Sequence, residues 1–175
     1  MDLKVVTLTD LMAAHVHHCW AKQVARVSKH LPDAVLVGGA IRDTYFIRNV
    51  KDQDYMTERG LSGVTCMEKA LGRTMYPCIT EARADYGSNG CLTAAYETVR
   101  KDVNLLLVTS ILGRIQEFPD SISQIWYDGQ NVKCTPAFIQ TANTKVVTYN
   151  ERMSPERLTR IRAKYPDFQF ECQEG

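Results

Sequence analysis

VLVGGAIRD, at residues 35–43, is soon followed in this chain by KDQDY, at residues 51–55. The first segment predicts a buried strand that breaks at Gly38-Gly39 into a helix start, where uncovered backbone N–H groups and the helix dipole favour an anion. In the second segment Asp52 and Asp54 lie two apart, so an extended backbone directs both carboxylates to one face, as two ligands of one Mg²⁺ require. Together the segments predict a phosphate cradle beside a metal-binding carboxylate pair.

Outward from these segments, hydrophobic periodicity and turn signals predict alternating helices and strands. Helices are expected at 8–30, 39–48, 62–71 and 110–118 and from 135 and 154 onwards, and strands at 34–37, 52–56, 93–100, 103–108, 123–127 and 131–134. Residues 73–95 read as a loop with some strand. The expected fold class is therefore α+β, with a small mixed β-sheet and helices packed mainly on one side.

Composition indicates one ordinary globular domain. The chain has 175 residues, of which 45% are hydrophobic and 23% charged, and shows no repeat or linker, so we expect a single domain over 1–175, with an N-terminal helix at about 8–30 and a core at about 33–168. A net charge of +1 excludes a general attraction for nucleic acid. No apolar stretch approaches the roughly 18 residues that span a bilayer. The scattered cysteines and the lack of a signal-peptide pattern predict a reduced cytoplasm.

The two segments resemble the signature of the DNA polymerase β-like nucleotidyltransferase superfamily, in its poly(A) polymerase and CCA-adding branch. That signature reads Gly-Gly-x-x-Arg-Asp followed by Asp-x-Asp, and it is matched by Gly38, Gly39, Arg42, Asp43, Asp52 and Asp54. The chain is more similar still to small nucleotidyltransferase-like proteins encoded by bacteriophages. In those proteins a segment like residues 118–125 precedes a Tyr-Asp-Gly turn, here 127–129, and a tail like 157–165 closes the chain. The resemblance covers about residues 33–168 and implies a nucleotidyltransferase fold.

The family uses three acidic residues, and the resemblance leaves the third of them open. On the strand expected at 103–108 the corresponding position is Asn104, whose amide binds a divalent cation less well than a carboxylate does. The candidates to complete the catalytic and metal-binding set are Asn104 itself, Asp102, which lies one pleat earlier on the same face, and Asp120. Gln53 also departs from the family, in which most members have an apolar residue there. The expected cofactor is Mg²⁺ or Mn²⁺, and the expected substrate is an NTP.

The nucleotide-binding positions implied by the resemblance are Gly38, Gly39, Arg42, Asp43 and Lys51. A structural ion pair accounts for Arg42 and Asp43 equally well, and a solvated charge accounts for Lys51. The last helix has a basic face of Arg157, Arg160 and Lys164, which we expect to be solvated, with contact to RNA, DNA or an acidic protein surface as the alternative.

The leading functional hypothesis is Mg²⁺-dependent transfer of a nucleoside monophosphate from an NTP to a hydroxyl of RNA, a protein or a small molecule. The neutral Asn104 favours a rival, a catalytically degenerate nucleotidyltransferase fold that acts as a binding protein. Such a protein would be a phage factor or an antitoxin-like partner that masks or inhibits a macromolecule, in the host cytoplasm if the chain is phage-encoded. No membrane partner is expected.

Overall fold

The computed structural model describes residues 3–78 and 90–173. Within these ranges the helices are α1 (Leu11–His30), α2 (Gly39–Tyr45), α3 (Leu61–Leu71), α4 (Ile111–Gln116), α5 (Pro136–Thr144) and α6 (Pro155–Lys164). The strands are β1 (Val6–Leu8), β2 (Val35–Val37), β3 (Gln53–Thr57), β4 (Met75–Pro77), β5 (Leu92–Thr98), β6 (Val103–Val108), β7 (Ile125–Tyr127), β8 (Val132–Cys134), β9 (Val146–Tyr149) and β10 (Gln169–Cys172). A 3₁₀ turn at Ser121–Ser123 precedes β7.

The main sheet, within the described residues, has eight strands in the order β1-β8-β7-β2-β3-β6-β5-β4. It is mixed, because β3 and β6 run parallel while the neighbouring pairs on either side run antiparallel. Strands β9 and β10 form a separate parallel pair. The expectation of a mixed α+β sheet is confirmed, although the sheet is larger than the small one expected. Its centre is β2, β3 and β6, which carry the segments singled out in the sequence.

Helices cover the two faces of the sheet unequally. Side chains from α1, α2 and α3 pack with Leu36, Tyr55 and Leu105 in one buried cluster. The opposite face, with Val37 and Leu106, is covered within the described residues by Ile115 of α4 and its neighbours. Because successive strand residues point to opposite faces, β6 contributes apolar side chains to both, and all of its residues, including the polar Asn104, are buried. This two-sided burial holds the strand beside β3 in a fixed position.

A third apolar cluster fastens α6 to the rest of the molecule. Ile161 and Tyr165 pack with Ile122, Val147 and Phe168, and burial of side chains of this size contributes roughly 1.5–3 kcal/mol each. The amphipathic pattern of α6 thereby fixes which side of the helix faces the sheet edge. That orientation decides where its basic side chains lie.

The helix ends follow the capping signals in the sequence. Asp10 accepts a hydrogen bond from the Ala13 amide at 2.8 Å, and the side chains of Ser110, Thr135 and Ser154 accept the equivalent bonds for α4, α5 and α6. Such caps satisfy amides that have no partner within the helix. Helix α3 ends at Gly72, whose φ of 67° suits glycine because it has no Cβ.

Some elements differ from the expectation. Helix α2 stops at Tyr45 rather than near residue 48, because the Arg48 amide donates to the Asp43 carbonyl and the chain turns away. Strands β1, β9 and β10 were not expected, since three or four residues show too little of a period-2 pattern. In the ambiguous stretch 73–95, β4 and the start of β5 supply the expected strand, and residues 79–89 lie outside the described residues.

No helix within residues 3–78 and 90–173 combines the length and hydropathy that a membrane crossing requires.

Candidate active site

A cavity of about 720 Å³ opens where β2, β3 and α6 meet. Its lining side chains fall into two chemical groups, an acidic pair on the sheet and a basic group facing it. The charged and glycine residues that line it are Gly38, Gly39, Arg42, Asp43, Lys51, Asp52, Asp54, Gly90, Arg114, Glu117, Arg152, Arg157, Arg160 and Lys164. The structure thus brings the two sequence segments to the same cavity and adds residues from the C-terminal part of the chain.

The diglycine turn lies directly against the carboxylate pair. Val37 pairs with Asp54 across the antiparallel ladder, and Gly38 follows with a φ of 62°, a left-handed conformation that favours glycine. A Cβ added to Gly38 would lie 3.9 Å from Asp54 Oδ2, and one added to Gly39 would lie 3.3 Å from Arg42 Nη2. The two glycines therefore keep the backbone bare at the cavity wall.

Burial and mutual repulsion make the carboxylate pair a poor place for two unneutralised charges. Burial and, to a smaller extent, the charge of Asp52 raise the pKa of Asp54 to about 6, although the Asn104 hydrogen bond opposes the shift. Burial also raises the pKa of Asp52, against the charges of Lys51 and Lys164. A cation between the two carboxylates would remove both the repulsion and part of the cost of burial.

Asn104 occupies the position where the family resemblance calls for a third acid. It stands opposite Asp54 in the parallel β3–β6 ladder, and its Nδ2 donates to Asp54 Oδ1 at 2.8 Å. No group of three or more histidine, cysteine or acidic residues within residues 3–78 and 90–173 is arranged to hold a metal ion. The donor set is therefore two carboxylates and a neighbouring amide, which still fits Mg²⁺, since this ion is commonly held by one or two carboxylates together with substrate phosphates and water.

In this structure Asp102 and Asp120, the candidates for a third ligand, are both engaged by other residues. Asp102 accepts hydrogen bonds from Arg73 and Thr98 outside the cavity. Asp120 is buried, with Oδ2 accepting from Arg157 Nε at 3.0 Å and Oδ1 accepting from the Ser123 amide at 3.0 Å. Both carboxylates are already satisfied by donors of the chain.

Asp43 is the centre of a buried ionic network. It accepts from Arg42 Nε at 2.9 Å, from Lys164 Nζ at 2.5 Å and from the Tyr165 hydroxyl at 2.7 Å. Burial opposes its ionised form, but the charge of Arg42 and these hydrogen bonds outweigh burial and lower the pKa of Asp43. The expected Arg42–Asp43 ion pair is present, and the hydrogen bonds from Lys164 and Tyr165 to Asp43 tie α2 to the end of α6.

The basic residues of α6 line the cavity, which sequence reasoning missed. Arg157, Arg160 and Lys164 were expected in solvent, yet each contributes to the wall that faces the carboxylate pair. Arg157 is held by Asp120 and by Ser123, whose Oγ accepts from its Nη2 at 3.0 Å. The available signal was the helical spacing of these residues beside the apolar stripe of α6. Spacing alone does not say against which surface a stripe packs.

The arrangement can hold a metal–polyanion complex between its two walls. The sheet side offers carboxylates for a divalent cation and the α6 side offers guanidinium and ammonium groups for phosphate oxygens, and these groups form strong charge-assisted hydrogen bonds with phosphate. Lys51, at the exposed rim, adds a further positive charge.

This chain is similar to known proteins in its structure. A scan of protein-family models finds no match, and a search of curated proteins finds none either. A CCA-adding enzyme in an apo form matches with a TM-score of 0.62 and 12% identity over 99% of this chain and 46% of that one. The Thermotoga maritima CCA-adding enzyme in complex with tRNA matches with a TM-score of 0.62 and 11% identity over 99% of this chain and 44% of that one.

A third solved structure, a tRNA nucleotidyltransferase complexed with a primer tRNA and an incoming ATP analogue, matches with a TM-score of 0.56 and 16% identity over 85% of this chain and 46% of that one. At sequence identities this low, the structural matches establish the fold alone. The chain has the nucleotidyltransferase fold, as the sequence resemblance implied, and it spans less than half the length of these enzymes. The likeness to phage proteins stays a prediction.

Proposed function

We propose, from the nucleotidyltransferase fold and the residues that line its cavity, that this protein is a Mg²⁺-dependent nucleotidyltransferase. It would move a nucleoside monophosphate from an NTP to a hydroxyl of RNA, a protein or a small molecule. The observation that carries the proposal is the convergence of Gly38 and Gly39 with Asp52 and Asp54 on one cavity whose opposite wall is basic. A polyphosphate with a bound divalent cation has the charge pattern that complements both walls.

Each wall has a separate task in this proposal. Asp52 and Asp54 would hold the metal ion, and Asn104 keeps Asp54 in position through its hydrogen bond. The bound ion would neutralise charge on the triphosphate and activate the attacking hydroxyl. Arg157 and Lys164 would bind phosphate oxygens across the cavity.

The reaction itself is a displacement at the α-phosphorus. The acceptor oxygen forms a bond to this phosphorus, the bond to the oxygen that bridges to the β-phosphate breaks, pyrophosphate leaves and the hydroxyl proton passes to water. Little covalent chemistry falls to the protein, so catalysis depends on positioning and on charge. The ion pair between Asp43 and Lys164 joins α2, which follows the diglycine turn, to α6 of the basic wall.

Binding of Mg²⁺-ATP tests the proposal by calorimetry. The parent protein should bind it, and a double variant, Asp52→Asn with Asp54→Asn, should bind at least about tenfold more weakly, because both anionic ligands are lost. Asp167→Asn is the matched control, since Asp167 lies at the surface in an ion pair with Arg48. Equal affinity of the double variant and the parent would refute the proposal.

A second function, a nucleotidyltransferase fold that binds without catalysis, is favoured by Asn104. An amide in place of a carboxylate leaves the metal with two anionic ligands from the chain, within the described residues. Incubation with labelled NTPs, Mg²⁺ or Mn²⁺ and a cell lysate separates the two functions. Transfer of label that requires Asp52 and Asp54 supports the enzyme, whereas nucleotide binding without any transfer supports the binding protein.

A further inference from the structure

Arg114 of α4 is a buried cation with an unsatisfied hydrogen-bond donor. The residue is 7% exposed, it lines the candidate active-site cavity, and its Nε has no hydrogen-bond partner within residues 3–78 and 90–173. Buried donors are almost always paired, because an unpaired one forfeits its hydrogen bonds to water without replacement. A donor of this kind in a cavity wall indicates a missing acceptor.

Positive charge is in excess around this guanidinium. Burial lowers the pKa of Arg114, and the nearby charges of Arg157 and Arg152 act in the same direction, against Glu117. Glu117 is a loose partner, since its Oε1 lies 4.0 Å from Arg114 Nη1 and accepts from the Cys91 amide at 2.9 Å. Arg157 is also paired with Asp120, so three guanidinium groups face two carboxylates among the described residues, and an anion would balance the remaining positive charge.

We infer that Arg114, Arg152 and Arg157, which all line the cavity, form a phosphate subsite in its wall. Hydrogen bonds to Asp120 and Ser123 hold the Arg157 side chain in this wall. The inference deepens the proposed function, on which it rests, by naming residues that would bind a phosphate of one of the substrates.

Phosphate fits this subsite better than a single carboxylate would. A phosphate presents several oxygens and up to two negative charges, and a planar guanidinium can donate two parallel hydrogen bonds to it. Two sources supply that chemistry, the terminal phosphate of the NTP and a phosphate of a separate nucleic-acid acceptor.

Pyrophosphate binding measured by calorimetry in EDTA tests the subsite without the metal. The parent should bind pyrophosphate, and Arg114→Gln should weaken binding by about tenfold, the effect of losing a charged hydrogen-bond donor. Arg100→Gln, in the exposed turn between β5 and β6, is the control with the same loss of charge. Because EDTA removes the metal, loss of Mg²⁺-ATP binding in the aspartate variants and loss of pyrophosphate binding here are independent results.

Two further ligands distinguish the sources of the phosphate. If the subsite binds the terminal phosphate of the NTP, Arg114→Gln weakens the binding of ATP and leaves the affinity for AMP unchanged. If the subsite binds a phosphate of the acceptor, the same variant leaves the affinities for both nucleotides unchanged and weakens the binding of a short oligoribonucleotide. Equal affinities of parent and variant for pyrophosphate, ATP and the oligoribonucleotide would overturn the inference.

If the role of Arg114 were purely structural, its loss would lower the melting temperature of the ligand-free protein. The subsite predicts the opposite. Arg114→Met removes the buried charge and its orphan donor while filling similar volume, so the ligand-free variant should melt at or above the parent temperature and still lose pyrophosphate binding. If the Arg114 variants do not fold, Arg152→Gln decides the question, because Arg152 is exposed. Unchanged pyrophosphate affinity in Arg152→Gln would then refute the subsite.

Discussion

The two walls of the cavity differ in how far apart their residues lie along the sequence. The acidic wall comes from one short stretch around β3, where Asp52 and Asp54 are two residues apart. The basic wall comes from α4 and α6, far along the chain, with Arg114 and Arg157 brought to it by packing. A site can thus have one half that local spacing reveals and another half that exists only once the chain has folded.

The largest expected effect follows from breaking the contact that joins the basic wall to α2, the helix that follows the diglycine turn. Asp43→Ala leaves Arg42 and Lys164 without their shared carboxylate, and the loss of one partner from a buried ion pair costs about 3–5 kcal/mol of the free energy of unfolding. Urea denaturation measures this change. Asp167→Ala, which removes a carboxylate that is 45% exposed, should cost less than about 1 kcal/mol. Similar costs for both variants would show that Asp43 does not hold α6 against α2.

The acidic wall should trade stability against function. Asp54→Asn should abolish Mg²⁺-nucleotide binding and yet stabilise the metal-free protein at pH 7 by about 1–3 kcal/mol, because ionised Asp54 is buried beside Asp52. The pKa of about 6 in the folded protein lies above the ordinary value. Asp54 therefore favours the folded state fully at low pH, and this contribution is lost as the pH rises towards 6.

Denaturation of the parent and of Asp54→Asn between pH 4 and pH 8 measures this linkage. The free energy of unfolding of the parent should fall relative to that of the variant as the pH rises to about 6, and the difference should stay constant above it. A variant less stable than the parent at pH 7 would show that the ionised carboxylate is satisfied without a cation.

Restoring a third acid should shift the balance of the acidic wall further. Asn104→Asp adds a negative charge and removes the donor to Asp54 Oδ1, so the melting temperature in EDTA should fall by an amount equivalent to about 1–2 kcal/mol. Saturating Mg²⁺ should raise the melting temperature of the variant more than that of the parent, because ligand binding stabilises the folded state. An equal response to Mg²⁺ would place Asn104 outside the metal site.

The smallest effect is expected on the basic wall. Arg160→Gln should weaken nucleotide binding about threefold to tenfold, and raised salt should reduce the difference from the parent. Arg162→Gln on the same helix is the matched control, since Arg162 is exposed and lies over Phe170 rather than in the cavity wall. Equal affinities of the two variants would mean that the basic wall does not contact the nucleotide.

The extent to which the fold can be predicted from the sequence also differs between elements. Capping signals at Asp10 and Gly72 locate helix ends because each acts within one turn, and the apolar run of β6 locates a buried strand. Strand β9 pairs with β10 some twenty residues further along the chain, which no local pattern specifies.

Local sequence patterns likewise predict only part of the candidate site. The positions of Asp52 and Asp54 follow from strand alternation, whereas the engagement of Asp120 by Arg157 depends on how α6 docks. Asp102 stayed at the surface because Arg73 and Thr98 hold it there. Burial of Arg114 likewise needed coordinates, since its helix has only six residues and gives a weak periodic signal.

A crystal structure with Mn²⁺ and a non-hydrolysable ATP analogue tests the central claim most directly. We predict anomalous signal for Mn²⁺ within coordination distance of Asp52 and Asp54, with the polyphosphate between this ion and the basic side chains of α6. A nucleotide bound elsewhere on the molecule, or Mn²⁺ coordinated by neither aspartate, would contradict the claim that the two walls form one nucleotide site.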